Sequence, residues 1–137
     1  MQTANINDLA VETIKVKDNA ITVPVSAYTA GNISVTGEVT VQSLAFTTVG
    51  GALFINWAVT LVTTDRLADL WIRIYRNSTN IYDTGSFTPI TTASPFAGSI
   101  SDAPAAGTYT YYLKVVRTGG DAYNAKNRLL YVHELKK

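Results

Sequence analysis

The sequence predicts an all-β protein, a short strand-rich stalk followed by an antiparallel β-sandwich, and three observations carry the prediction. Apolar and polar residues alternate at period two through most of the chain, as in strands with one buried face. Glycine, proline and asparagine break these runs about every 8–15 residues, a spacing typical of sandwiches. Nothing beyond a turn's worth of residues at 63–68 reads as helix.

The stalk comes first. Residues 6–28 contain three apolar pairs, Leu9/Val11, Ile14/Val16 and Ile21/Val23, separated by polar breaks at 12–13 and 17–20. So few apolar groups cannot offset the ordering cost of their own backbone, and an isolated pair of strands is marginal in water. Residues 1–30 are therefore expected to wrap around copies of themselves. In a homotrimer, Leu9, Val11, Ile14, Val16, Ile21 and Val23 would bury against one another around a threefold axis. Residues 31–137 are expected to form the sandwich.

A turn-like joint at 28–32, with Gly31 free to take positive φ, opens the sandwich. Its first strand covers 39–47, with a shorter one at 33–36 ended by Gly37. Gly50-Gly51 turns into 52–62, where Leu53, Ile55, Trp57, Val59 and Leu61 alternate with Phe54, Asn56, Ala58 and Thr60. This is the most one-sided run in the chain, and it places Trp57 deep in the core. In 69–76, Leu70, Ile72 and Ile74 share one face, and Trp71, Arg73 and Tyr75 the other. A tight turn at 77–80 leads into 81–85; a threonine- and proline-rich loop spans 87–95, and a weaker strand 96–101. Residues 108–118 form a strong strand with Tyr109, Tyr111, Leu113 and Val115 on one face. A loop at 119–126 and a closing strand at 127–135 complete about seven strands.

Composition bounds the rest. The chain has 137 residues, enough for one domain with a sizeable core plus an appendage. It is 47% hydrophobic and 15% charged, an apolar balance that leaves surface to be buried between subunits. A net charge of +1 gives no electrostatic reason to expect nucleic acid or an anionic membrane as partner. No apolar run approaches the ~20 residues of a membrane helix, and Asp8 sits where a signal peptide would be apolar. The absence of cysteine removes disulfides, thiolate metal sites and thiol nucleophiles, and fits synthesis in a cytoplasm.

Two resemblances rest on particular residues. The run LAVETIKVKDNAITVPVSAYT, residues 9–29, resembles the segment before the C-terminal domain of tailed-phage central tail-fibre and host-specificity proteins. The string from Thr13 to Pro24 carries it, and AGTYTYYLKVVRTGGDAYNAKNRLLYVHELKK, 106–137, looks like the last two strands of the same family. The resemblance implies the tip of a trimeric virion component, made in a host cytoplasm. Such a tip would attach to a protein or polysaccharide receptor on a bacterium, with no enzymatic activity and no cofactor. A carbohydrate-binding or fibronectin-like accessory module of a secreted bacterial protein is the alternative from another class, and a purely structural fibre module is a third. The second resemblance lies at 102–111, which is similar to the turn into the penultimate strand of immunoglobulin and fibronectin-type domains. There Tyr109 would bond back to the corner backbone and Tyr111 would be a core position, giving an immunoglobulin/fibronectin-like sandwich.

Candidate chemistry is sparse. His133 is the only histidine; it shares the Leu129/Tyr131 face of the last strand, and three copies on a threefold axis are one arrangement that would hold a transition metal. A structural histidine is the plainer reading. Asp65 and Asp69 flank Arg66 without a glycosidase spacing, and Asp65, Asp69 and Asp83 lack a calcium-loop pattern. Gly50-Gly51 and Gly119-Gly120 read as hairpin glycines, since no helix with a lysine follows either. Trp71 and Tyr75 fit an inner sheet face, a subunit interface or a sugar platform.

Strand parity then places the receptor surface. If the first sandwich strand runs away from the stalk and each later one reverses, the turn at 77–80 lies at the far end. Asn77, Ser78, Thr79, Asn80 and nearby Tyr82 are the first candidates for receptor contact, through amide and hydroxyl groups. Tyr123 and Asn124 in the 119–126 loop are the alternative, and they move to the tip if 33–36 is a separate antiparallel strand.

Overall fold

The computed structural model describes residues 24–64 and 66–135. Leu9, Val11, Ile14, Val16, Ile21 and Val23, with the intertwined stalk they were expected to form, lie outside the described residues. The described chain forms β1 (Val25–Thr29), β2 (Ile33–Val35), β3 (Glu38–Thr48), β4 (Leu53–Val62), β5 (Asp69–Arg76), β6 (Thr79–Asp83), β7 (Ala93–Asp102), β8 (Gly107–Thr118) and β9 (Tyr123–Glu134).

Two antiparallel sheets face each other. One has the order β1-β9-β4-β7, with β2 also on β9; the other has the order β3-β8-β5-β6. The alternation read from the sequence fills the space between them. Leu53, Ile55, Trp57, Val59 and Leu61 of β4 meet Leu70, Ile72 and Ile74 of β5 and Tyr111, Leu113 and Val115 of β8. Each fully buried apolar side chain contributes about 1.5–3 kcal/mol relative to exposure, so this layer dominates the fold's stability. Trp57 is 4% exposed, as its place on the most one-sided strand predicted.

The connectivity is not immunoglobulin-like. An immunoglobulin sandwich keeps its first two strands as neighbours in one sheet. Here β5 and β6 are the only consecutive strands paired with one another among the described residues, and nearly every other connection crosses between sheets. That double-sheet arrangement is a jelly roll. The tyrosine corner exists nonetheless: the Tyr109 hydroxyl donates to the Ala105 carbonyl at 2.8 Å, and Tyr111 is fully buried.

Four boundaries differ from expectation, each for a local reason. Val25–Thr29 pairs with β9 from Val25↔Val132 to Thr29↔Arg128, so this stretch belongs to the sandwich and not to a stalk ending at residue 30. The β5–β6 turn is only 77–78, because Asn77 takes a φ of 51° that reverses the chain at once. β7 starts at Ala93 and includes Pro95; a proline is tolerated there because β7 is an edge strand, paired only with β4. Finally, β9 begins at Tyr123, so the second half of the expected 119–126 loop is strand. A bulge at Asn127, with φ 51°, shifts the register against β4 between Ala58 and Thr60. The inward set therefore changes from Tyr123 and Ala125 to Leu130 and Val132, and the break in alternation hides the strand from a period-two reading.

Strand directions fix the two ends. β1 and β2 run the same way along β9, and every later connection reverses the chain. Connections 36–37, 63–68, 84–92 and 119–122 gather at one end, tied by the Thr63 N–H to Thr92 carbonyl bond (2.8 Å) and the Asp121 N–H to Arg66 carbonyl bond (3.2 Å). Connections 49–52, 77–78 and 103–106 gather at the other, together with Pro24 and Leu135, whose N–H donates to the Ala52 carbonyl at 2.7 Å. These are the loop end and the entry end.

Candidate receptor-contacting surfaces

The residues put forward for receptor contact separate. Asn77, Ser78, Thr79 and Asn80 are exposed but lie at the entry end, beside the point where the chain arrives from residue 24. The parity assignment fails because β2 continues the direction of β1 along β9, and β3 is the first strand to return. The two amides are also engaged locally. Asn77 Oδ1 accepts from the Thr110 N–H at 3.0 Å, and Asn80 Oδ1 accepts from the Tyr82 N–H at 3.1 Å. Tyr82 is half-buried against Trp57, with ring centroids 6.4 Å apart. Tyr123 is 1% exposed and its hydroxyl accepts from the Ala68 N–H at 3.4 Å, so it is a core residue and not a loop anchor. Asn124 is exposed on β9 near the loop end.

The entry end is held by side chains. The Glu134 carboxylate accepts from the Thr48 hydroxyl (2.7 Å), the Val49 N–H (3.2 Å) and the Gly51 N–H (2.6 Å). A Cβ at Gly51 would lie 2.7 Å from Glu134 Oε2 and 3.1 Å from the Leu135 carbonyl oxygen, so a side chain there would push the carboxylate aside. Arg76 Nη1 donates to both Asp102 oxygens at 2.6 and 2.8 Å, and the Tyr111 hydroxyl donates to Asp102 Oδ2 at 2.8 Å. Burial, and after it that hydrogen bond, raises the Tyr111 pKa above its ordinary value; the Asp102 bond raises that of Arg76.

At the loop end backbone and side chains share the holding: Arg117 donates to the Thr36 carbonyl at 2.8 Å and to the Gly120 carbonyl at 3.3 Å, and the Arg66 N–H donates to Asp121 Oδ2 at 2.9 Å. Phe87 and Leu70 exchange N–H to carbonyl bonds at 2.9 and 2.7 Å, and Pro89 is buried. The 84–92 loop is thus pinned on both sides, and Ile90 stands out of it 93% exposed. Leu67 is 36% exposed on the neighbouring 63–68 connection, where Arg66 and Asp121 form a 3.7 Å ion pair. Gly120, at φ 57°, passes so close to the Leu67 carbonyl that a Cβ would come within 2.4 Å of it. The sequence carried one sign of this surface: an isoleucine between Pro89 and Thr91, in a loop with no alternation to bury it.

The outer face of β3-β8-β5-β6 carries Trp71, Arg73 and Tyr75, which therefore do not pack between the sheets. Lys114 Nζ sits 4.3 Å from the Tyr75 ring centroid, and Arg73 bonds Glu38 and Asp83, each at 2.8 Å. The outer face of the other sheet carries His133, stacked on Phe54 at 6.0 Å and edge-on to Tyr131 at 5.6 Å. Among the described residues no group of three metal-ligating side chains converges. A cleft of about 240 Å³ opens between β6 and β7, lined by Trp57, Tyr82, Phe87 and Phe96 among others. It is smaller than the ~300–1,000 Å³ usual for small-molecule sites.

No protein-family model matches the sequence, and a search of curated proteins finds no match. Solved structures do match. T=1 particles derived from infectious bursal virus align over 84% of this chain and 32% of that one, with 12% identity and a TM-score of 0.67. The VP2 subviral particle of infectious bursal disease virus aligns over 84% and 33%, with 15% identity and a TM-score of 0.55. Dimeric latent PorU from Porphyromonas gingivalis aligns over 85% of this chain and 13% of that one, with 10% identity and a TM-score of 0.59. The chain spans about a third of the length of the viral chains it matches. At these identities the likeness extends to the fold, and the fold is a two-sheet antiparallel β-sandwich shared with those viral and bacterial proteins.

Proposed function

We propose that this chain is a non-enzymatic attachment domain of a virion: the tip of a trimeric phage tail fibre, which contacts a receptor on a bacterial surface. One observation carries the reading. Pro24 and Leu135 lie at the same end of the sandwich, so whatever precedes residue 24 holds the domain from there and presents the four-connection end outward. Ile90, 93% exposed on a pinned loop, is then the anchor of the contact, with Leu67 beside it. A rigidly held apolar side chain gains contact without a large ordering cost. The resemblance of residues 9–29 to tail-fibre sequences and the fold shared with viral particles support the virion setting. Asn77, Ser78, Thr79 and Asn80 are withdrawn from the contact to the attachment side.

The PorU match favours a second reading. There the same fold occupies 13% of a much longer bacterial chain, as an accessory module of a secreted protein would. Mass in solution separates the two. Light scattering on the complete chain, with residues 1–30 present, should give a trimer held by Leu9, Val11, Ile14, Val16, Ile21 and Val23. A monomer at micromolar concentration would favour the accessory module.

A further inference from the structure

The exposed edges of the two sheets are guarded unequally. β1 and β6 have five residues each and β2 three, which makes them poor templates for a further strand. β3 is longer, but a bulge lies between Thr40 and Gln42, and Arg128 Nη1 donates to the Val41 carbonyl at 2.8 Å. β7 has ten residues, pairs only with β4 among the described residues, and carries no charge from Ala93 to Ser101. Its guard is Pro95.

The register shows which of its backbone groups face the open side. The Thr63 N–H bonds the Thr92 carbonyl at 2.8 Å, one step beyond the Val62↔Ala93 pair, and the pairing runs without a shift to Leu53↔Asp102. Bonded and non-bonded pairs alternate in an antiparallel ladder, so Ser94, Phe96, Gly98, Ile100 and Asp102 bond β4. Ala93, Pro95, Ala97, Ser99 and Ser101 turn their backbone groups away from it, and all five residues are exposed. At the start of the strand this edge is blunted, because Pro95 has no N–H and the Ala93 carbonyl accepts from the Thr91 hydroxyl at 2.7 Å. From Ala97 to Ser101 the outward N–H and carbonyl groups have no partner among the described residues. Such an edge is a template for another strand.

The strand that fits it is β7 of a second copy. With Ser99 opposite its own counterpart on a two-fold axis, Ala97 lies opposite Ser101, and each outward N–H from Ala97 to Ser101 meets a carbonyl. Moving the axis to Ala97 would set Ser99 against Pro95 and lose a donor. On the inner side, the same register sets the half-buried Ile100 opposite Gly98, which has no side chain to obstruct it. A contact of a surface with itself also requires that no charge meet its own copy, and this edge meets that condition. We infer that β7 pairs antiparallel with β7 of a second copy through Ala97–Ser101, joining two β1-β9-β4-β7 sheets into one. Antiparallel pairing points the two loop ends in opposite directions, so this contact is separate from a parallel trimer and does not rest on it.

The sequence contains no cysteine, so one introduced thiol reports on one position. Directly opposite Cα atoms of a bonded antiparallel pair lie about 5.5 Å apart, within the reach of a disulfide. In the complete chain under mild oxidation, Ser99→Cys should form a covalent two-chain product about tenfold faster than Ala45→Cys, which is exposed on β3. Ala97→Cys and Ser101→Cys should each cross-link slowly alone and fast when mixed, because the register places one opposite the other. Equal rates for Ser99→Cys and Ala45→Cys, or no gain on mixing the other two, overturn the inference. Mass gives an independent reading: light scattering from micromolar to millimolar concentration should show the mass doubling, whatever the starting assembly. Ser99→Lys sets like charges against each other on the axis and should raise the midpoint concentration about tenfold or more. Ser99→Ala, which loses only the hydroxyl bond to Asn56 Oδ1, should leave it unchanged. A mass that stays constant over this range, or the same shift from both variants, overturns the inference.

Discussion

At the entry end, side chains grip one another: Glu134 holds the 49–52 turn, Asp102 holds Arg76 and Tyr111, and Tyr109 locks the 103–106 corner. At the loop end, backbone pairs such as Phe87 with Leu70, together with Arg117 bonds to the Thr36 and Gly120 carbonyls, hold the connections in place and leave Ile90 and Leu67 facing water. Apolar display differs between the ends in degree: Ile90 at the loop end is 93% exposed, and Val49 at the entry end 66%. Polar networks rigidify where they are satisfied, whereas an apolar side chain displayed on a fixed loop adds nothing to folding. Substitutions should therefore cost stability at one end and binding at the other.

The largest expected effect is Asp102→Ala. It strands the Arg76 charge and the Tyr111 hydroxyl at sites whose side chains are 25% exposed or less, and should cost about 3 kcal/mol in chemical denaturation. A loss below about 0.5 kcal/mol, the usual range for surface changes, would mean the entry-end network is not stabilising. Tyr109→Phe at the same end should cost about 1 kcal/mol, through one hydrogen bond to Ala105. Next comes alkaline stability. The folded chain holds the Tyr111 proton more tightly than the unfolded one, because the pKa is raised from its ordinary 10.0. That contribution is complete below about pH 10 and is lost as pH rises beyond it. Tyr111→Phe should therefore flatten the alkaline limb of the stability curve, and an unchanged limb would contradict the assignment.

Acid effects should be smaller. The Gly85 N–H first, and then Arg73 against some desolvation, hold the Asp83 carboxyl below its ordinary 3.8. This contribution is present above that value and fades as pH falls through the lower folded value. Asp83→Asn should reduce the loss of stability on acidification, and a steeper acid limb would reverse the sign. Smallest of all is Ile90→Ser, which should change stability by no more than about 0.5 kcal/mol, because the side chain touches solvent on nearly every side.

Much of the fold was legible because inward positions alternate strictly where no bulge intervenes. β4, β5 and β8 were read with their faces correct, and so was the tyrosine corner at Tyr109. β9 was cut short because the Asn127 bulge breaks its alternation, and this took Tyr123 out of the core and into a loop. The order of strands lay beyond reach, because it depends on which edges meet and the period-two pattern is the same for a jelly roll and an immunoglobulin sandwich. The choice of end failed for a related reason. β1 and β2 form two segments along one partner, and a count of reversals treats them as one strand or as two opposed ones.

The central claim is that the loop end meets the receptor. Fluorescently labelled complete chain, applied to a panel of bacteria, tests it most directly once a strain that binds is found. Ile90→Asp should abolish cell binding while leaving mass and thermal unfolding unchanged, and the double change Ser78→Asp with Thr79→Asp at the entry end should leave binding intact. Binding that survives Ile90→Asp and is lost in the double variant would contradict the account and return the contact to the entry end.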